Sequence, residues 1–471
     1  MFILEIIFLL MTIVSLYLVM SNKIRSKSLF IGLFGLIFVV FVLQIIFFGF
    51  MWQLFLLYLS IVLLIVLGYF IKIKEISIKK RILKIITILS SVFIVFSAFF
   101  VFSFPKYKMP DVSGDYLIGT KSFVINTERD EIYTDDANDQ RRIKFQIWYP
   151  AEKVEGYEQV PWLMDGITVS KALSKDFGFP AFALNQTANI LSNSYLDAPI
   201  NKDLAKYPII IISHGWRGFR NLHSDFAEEL ASLGYFVVSI DHTYGSVATV
   251  FGENDVAYLN SEALPSREST PDFLDYANRL VSTYGEDVIS TIDYLEVLNN
   301  DSELSIFKGK LDLTKIGVIG HSTGGGGDVY AALKDDRITA LIGLDAWVES
   351  IDEEDINAGL TIPSLFLRSG QWETGENNDN LYALVDSSEA PSWLYQIDGT
   401  THFDFSMVYM FSSLTKIVGF SGSVNSMELN LMLEEVIYEF FDETLRGDTS
   451  GSKNPEDFDE IRLSRTNQYL L

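Results

Sequence analysis

The chain has no cysteine and only five histidines among its 471 residues. The first absence removes disulfides, thiolate metal sites and cysteine nucleophiles from consideration, and it is compatible with export. The second leaves any mechanism that needs an imidazole base with His214, His223, His242, His321 or His402. Basic residues are scarce too, 36 against 61 acids, for a formal net charge of −25. The scarcity is uneven. Through residue 108 there are eleven Lys and Arg and two acids, Glu5 and Glu75, whereas the remainder holds 25 basic residues against 59 acidic ones. A surface that acidic repels nucleic acid and anionic headgroups, so no nucleic-acid partner is expected, and its plain role is solubility.

Where charge is missing, apolar length takes its place. Four apolar runs fill the start of the chain, at roughly 2–20, 29–48, 51–71 and 85–104. Each is close to the ~20 residues that a helix needs to cross hydrocarbon. A cleaved signal peptide would explain one run but not four, and the first lacks a basic leader. Lys23, Arg25 and Lys27 occupy the linker 21–28, and Lys72, Lys74, Lys79, Lys80, Arg81 and Lys84 the linker 72–84. The turn near Gly49 to Gln53 is uncharged. Both basic linkers are therefore expected in the cytoplasm and the N-terminus outside, with the fourth span leading outward despite Lys106 and Lys108. Glu5, near one end, is the one ionisable residue within the spans, so the bundle reads as an anchor in the bilayer and not as a transporter.

Four parts follow: a transmembrane anchor at 1–105, a linker and entry segment at 106–143, an α/β domain at 144–447 and a polar tail at 448–471, with Gly447–Asp459 expected to be loose. The α/β domain alternates β-rich runs with helical patterns. The runs are Lys144–Pro150, Pro208–His214, Tyr235–Asp241, Lys315–Gly320, Ala340–Leu344, Ser364–Arg368 and Trp393–Ile397. Several are nearly continuous apolar stretches, as strands covered on both faces are. Helical periodicity appears at Leu222–Leu233, Glu286–Leu298, Gly326–Leu333 and Met427–Leu445. The pattern predicts a mostly parallel sheet covered by helices, with reacting groups on loops at the strands' C-terminal ends. Residues 157–205 fit no strand pattern and are expected to form a cap or lid.

The run Lys315-Ile-Gly-Val-Ile-Gly320 passes directly into His321-Ser322-Thr323-Gly324 and then a helical stretch. This is G-x-S-x-G between strand and helix. The serine must sit on a turn so tight that the residues two before and two after it can carry no Cβ. A serine hydroxyl needs a base, and the base needs an acid to fix its tautomer. In this chain order only His402 follows Ser322. For the acid, Asp345 and Glu373 each follow a strand, with Glu376 just beyond, while Asp398 and Asp404 flank the histidine closely. The order of residues leaves Asp345 and Glu373 open. The oxyanion donors are expected at the amide of Trp216, after Ser213-His214-Gly215, and at that of Thr323.

Four stretches together resemble the plasma-type (type II) platelet-activating factor acetylhydrolases and their bacterial relatives, within the α/β-hydrolase fold. They are Trp148-Tyr-Pro150, then Tyr207 to Arg220 with Leu233 to His242, then Gly320 to Gly325 with Gly343-Leu-Asp-Ala-Trp347, and Gly399 to Phe405. The resemblance covers about residues 145–445. It implies Ser322 as nucleophile, Asp345 as acid, His402 as base, and Trp216 and Thr323 as oxyanion donors, with no metal and no cofactor. It departs at Trp216, where the mammalian enzymes have a smaller apolar residue, and in the four added spans. The implied activity is a membrane-anchored serine ester hydrolase acting on short-chain or oxidised acyl esters of phospholipids, or on small lipophilic esters. A polyesterase or cutinase-like enzyme, a serine peptidase and a non-catalytic membrane sensor on the same fold are the alternatives.

Overall fold

The computed structural model describes residues 3–21, 26–300, 306–449 and 454–468. Lys23 and Arg25 of the first basic linker lie outside the described residues. The chain opens with α1 (Ile3–Met20), α2 (Lys27–Phe48), α3 (Phe55–Gly68) and α4 (Lys80–Ser103). A 3-10 turn and a wider turn extend α3, giving four apolar spans at Ile3–Met20, Lys27–Phe47, Trp52–Ile73 and Lys80–Ser103 with mean hydropathy of 2.5 to 2.9. Each is long and apolar enough to cross a membrane, as the sequence predicts. Large apolar side chains such as Ile31, Phe38, Val95 and Phe102 point outward, while Thr12, Ser15, Ser60, Ser90 and Ser97 face inward. Small polar residues at helix contacts and apolar ones outside are the arrangement that lipid selects.

The second region continues with β1 (Leu117–Asp130), β2 (Gln140–Ala151), β3 (Gln159–Pro161), α5 (Gly166–Asp176) and β4 (Leu191–Leu196). Then come β5 (Tyr207–Ser213), α6 (Ser224–Ser232), β6 (Phe236–Asp241), the hairpin β7 (Ala248–Gly252) and β8 (Asp255–Tyr258), and the long α7 (Phe273–Asn300). It ends with β9 (Leu311–His321), α8 (Thr323–Lys334), β10 (Ile338–Leu344), α9 (Glu353–Ala358), β11 (Ser364–Ser369), α10 (Glu376–Ser387), β12 (Ser392–Ile397), α11 (Ser426–Phe441) and β13 (Ile461–Thr466). Eleven strands form one sheet in the order β13-β12-β11-β10-β9-β5-β6-β2-β1-β4-β3. The stretch from β12 to β6 is parallel. The run 208–212 shows why. Ile209 and Ile211 join the core beneath α7, while Ile210 and Ile212 join the core beneath α6 and α11, so both faces of β5 are buried. The chain moves from β5 to β6 on one side and later returns to place β9 on the other. Ligands bind at such a reversal, beyond the strands' C-terminal ends.

Four expectations need correction. The linker expected at 106–143 holds β1 and the start of β2, which pair antiparallel. Residues 157–205 are not strand-free: β4 pairs parallel with β1 and antiparallel with β3, extending the sheet. These strands are too short for alternation to reveal them, and only the segment around α5 caps the site. The polar tail expected to stand apart from the α/β domain instead joins it, because β13 pairs antiparallel with β12 and closes that edge. Its two arginines, Arg462 and Arg465, are exposed and charge that edge. The helix expected from Glu286 begins at Phe273 instead. Gly285 reads as a break, but a Cβ there would meet Tyr330 Cδ1 at 2.5 Å and Gly327 O at 2.7 Å, so it is the point where α7 crosses α8.

Candidate active site

The turn after β9 carries Ser322 at φ 56° and ψ −121°. A Cβ on Gly320 would lie 2.5 Å from Asp328 Oδ2, and one on Gly324 would strike Ser213 O, so both flanking positions require glycine. Trp347 N donates to Ser322 O at 2.9 Å and Ser322 N to Leu344 O at 2.9 Å, which fixes the turn against β10. Asp345 (φ 43°) and Arg217 (φ 65°) share this rare backbone region with Ser322. Such strain persists only where the surroundings enforce it, and it gathers at reacting centres.

Ser322 Oγ lies 2.9 Å from His402 Nε2, and His402 Nδ1 lies 2.9 Å from Asp345 Oδ2. An ionised carboxylate only accepts, so the Nδ1 proton faces Asp345 and the Nε2 lone pair faces the hydroxyl. Asp345 is buried, and it also accepts from Ser369 N (2.7 Å, Oδ1) and Ser369 Oγ (2.6 Å, Oδ2). Trp372 stacks on the imidazole at 4.2 Å and 4°. Neither Ser369 nor Trp372 is singled out in the sequence, because nothing in local spacing ties a residue after β11 to a histidine thirty positions on.

The rival acids are engaged elsewhere. Glu373 pairs with Arg462 at 2.8 Å, and Glu376 is exposed with Arg267 3.9 Å away. Asp398 accepts from Gln396 and Arg462, and Asp404 caps its own turn through Thr401 and Gly422. Three of the other histidines are also engaged away from Ser322. His321 lies behind His402, its Nε2 2.9 Å from His402 O, and burial, with His402 and His223 nearby, holds it well below the usual imidazole range. His242 Nδ1 is 3.1 Å from Asp287 with Tyr284 stacked on its ring. His214 is bound to Gly215 O and Ser246 Oγ, each at 2.7 Å.

Those His214 contacts shape the loop that precedes the site. Arg217 N donates to Gly245 O at 3.0 Å and Gly218 N to Gly215 O at 2.9 Å. Gly215 approaches so closely that a Cβ there would lie 2.9 Å from Ser322 Cβ. Among the described residues neither Trp216 N nor Thr323 N has a backbone acceptor, and both residues border one cavity with Ser322 and His402. The cavity measures about 600 Å³ and is walled chiefly by Leu173, Phe177, Phe219, Trp347, Trp372, Phe403, Phe411 and Phe420. Among the described residues no three His, Asp or Glu side chains gather to hold a metal ion. The arrangement can activate a hydroxyl beside two free amides in an apolar cleft.

Known proteins share this architecture. A ferulic acid esterase from Streptomyces cinnamoneus superposes with a TM-score of 0.61 over 76% of this chain and 100% of its own, at 21% identity, which shows the fold. The platelet-activating factor acetylhydrolase of Canis lupus familiaris is 26% identical over 298 residues, 58% of this chain and 62% of the dog protein. That of Cavia porcellus is 24% identical over 333 residues, 66% of this chain and 71% of its own length. A probable 1-alkyl-2-acetylglycerophosphocholine esterase of Arthroderma benhamiae is 24% identical over 275 residues, 53% of this chain and 65% of the fungal one. The chain thus spans just under two thirds of the dog and fungal relatives. The family profile described as platelet-activating factor acetylhydrolase, isoform II, matches residues 101–269 and 283–457. Matched over most of its length, this chain belongs to the platelet-activating factor acetylhydrolase, isoform II, family.

Proposed function

We propose that this chain is a membrane-anchored serine ester hydrolase that acts through an acyl-enzyme on Ser322. The observation that carries the reading is the unbroken line from Ser322 Oγ through His402 to the buried Asp345 carboxylate, with 2.9 Å at each link. His402 Nε2 takes the hydroxyl proton as Oγ attacks the ester carbonyl, and the amides of Trp216 and Thr323 hold the oxyanion. Asp345 stabilises the imidazolium and keeps Nδ1 protonated. The alcohol leaves with the proton from His402, and a water activated by the same nitrogen then releases the acid. The aromatic walls of the cavity favour lipophilic esters, and the names of the relatives, an acetylhydrolase and an acetylglycerophosphocholine esterase, point to short acyl groups on phospholipids. The four apolar spans and their flanking lysines support a multi-pass anchor with this domain on the extracytoplasmic side.

The test is fluorophosphonate labelling of the full chain, paired with turnover of p-nitrophenyl esters of increasing acyl length. Labelling and turnover that both vanish in Ser322→Ala are expected, with short acyl chains preferred. A folded wild type that takes no label would sink the reading. The missing cysteines give a clean topology assay as well. A membrane-impermeant maleimide should reach Ala137→Cys on intact cells, but Ser77→Cys only after permeabilisation.

A further inference from the structure

One short turn grips Asp345 on one side and the His402 loop on the other. β11 ends at Ser369, whose amide and hydroxyl hold the Asp345 carboxylate at 2.7 and 2.6 Å. The chain then makes a single 3-10 turn, Gly370–Trp372. Gly370 N donates to Thr400 Oγ1 and Gln371 N to Thr400 O, each at 3.3 Å, and Gln371 Oε1 accepts from His402 N at 2.8 Å. Asn378 Nδ2 donates to Trp372 O at 3.0 Å and fixes the end of the turn. The Trp372 indole is thereby laid flat on the imidazole, 4.2 Å away and 4° from parallel.

Packing alone does not ask for this geometry. Trp372 is half-buried on the border of the cavity, where any apolar side chain would serve as wall. Indole is the side chain whose face attracts a cation most strongly. A neutral imidazole gains little from that attraction, whereas an imidazolium gains it in full. His321, 4.5 Å from the same ring, brings no competing charge, because burial keeps it neutral. The proton that His402 takes from Ser322 therefore creates a cation that meets one carboxylate at Nδ1 and one π face. An interaction that strengthens on the way to the transition state raises the rate, and one equal in both states does not.

We propose that Trp372 is a positioning residue for ester hydrolysis at Ser322: its indole face stabilises the charge that His402 acquires in each proton transfer. Trp372 acts on the rate of the chemistry and not on the grip on substrate, although it borders the cavity. This rests on the hydrolase reading.

The experiment places mono-, di-, tri- and tetrafluorotryptophan at position 372 of the full chain in detergent micelles. Ring fluorines drain electron density from the indole face and leave its shape nearly unchanged, so the fold is kept. With p-nitrophenyl acetate, log kcat should fall in proportion to the number of fluorines, to about tenfold below wild type with four. KM should hold, because acylation and deacylation both put a proton on His402 and slow together. Trp372→Phe should recover part of the rate lost in Trp372→Leu. The same series at Trp393, which packs on β12 against the core on the α6 and α11 side, should leave kcat unchanged. A kcat that stays flat across the series at 372 overturns the proposal, since packing survives fluorination. So does a loss expressed in KM, or a Phe variant no faster than the Leu variant. A wild type inactive on the ester would instead defeat the hydrolase reading, so the two failures are distinguishable.

Discussion

The apolar helical bundle and the α/β region bury polar groups by different means. In the bundle, three hydroxyls turn back on their own helices: Thr12 Oγ1 donates to Phe8 O at 2.8 Å, Ser15 Oγ to Met11 O at 2.7 Å and Thr87 Oγ1 to Leu83 O at 2.9 Å. In the α/β region the interior holds full charges in closed networks. Arg141 is buried between Asp287 (2.6 Å) and Glu131 (3.0 Å), and Arg220 joins Asp165 at 2.6 Å and also pairs with Asp241. The difference follows from the solvent. Lipid offers no gain for hiding apolar surface, so helices there associate through small residues and close contact. Water drives an apolar core together, and a charge caught inside must be compensated on every side.

Chemistry in one region and anchoring in the other is the proposed division, and the largest effect tests it. Ser322→Ala should lower ester turnover by on the order of 10⁶-fold, whereas Ser97→Ala in the bundle should leave it intact. A comparable loss from the bundle variant would break the division. Next in size, Asp345→Asn should cost on the order of 10⁴-fold with the protein still folded, and Glu373→Gln should cost nothing measurable. If Glu373→Gln were the damaging change, the acid would have to be reassigned.

A third test sharpens the contrast in buried polarity. Arg141→Leu removes the ion pair of buried Glu131 and leaves Asp287 only Arg129 and His242, and should destabilise the α/β region by about 3–5 kcal/mol in chemical denaturation of the full chain. Ser97→Ala should cost under about 1 kcal/mol. Equal costs would erase the contrast. The smallest effect concerns pH. Burial, with Asp225 and Glu229 close by, raises Glu434 to about 9, and burial raises Asp225 to about 7. Both titrate near 4 once unfolded, so from about pH 4 upward the folded state binds more protons than the unfolded chain. The stability they contribute is complete below that value and declines as pH rises through about 7 and then about 9. Glu434→Gln, which keeps a partner for Asn430, should therefore gain in melting temperature over the wild type as pH goes from 5 to 9. Parallel melting curves would refute the buried, protonated state.

Much of this molecule was legible before any coordinates, and the exceptions have physical causes. The apolar runs of β5, β6, β9 and β10 announce themselves because both faces are covered. By contrast β1, whose sequence LIGTKSFVINTERD carries charges through its second half, reads as a polar lead-in, although it makes the long antiparallel ladder with β2. At the site, Ser322 and His402 follow from a turn motif and chain order. Asp345 and Glu373 both end strands, and only the fold turns one toward the imidazole and the other toward Arg462. Ser369 and Trp372 carry no local signal, since their role exists only once β11 lies beside β10.

The hydrogen bonds that Ser412 and Ser413 make to Ser103 and Phe102, at the end of α4, bear on kinetics under the proposed anchoring. A hydrolase region clamped to its own anchor would not swing toward a second vesicle or a passing micelle. It would meet substrate by lateral diffusion in two dimensions. Its rate will follow the mole fraction of ester in that one membrane, and diluting the ester with inert lipid should slow turnover even when the total ester in the sample is held constant.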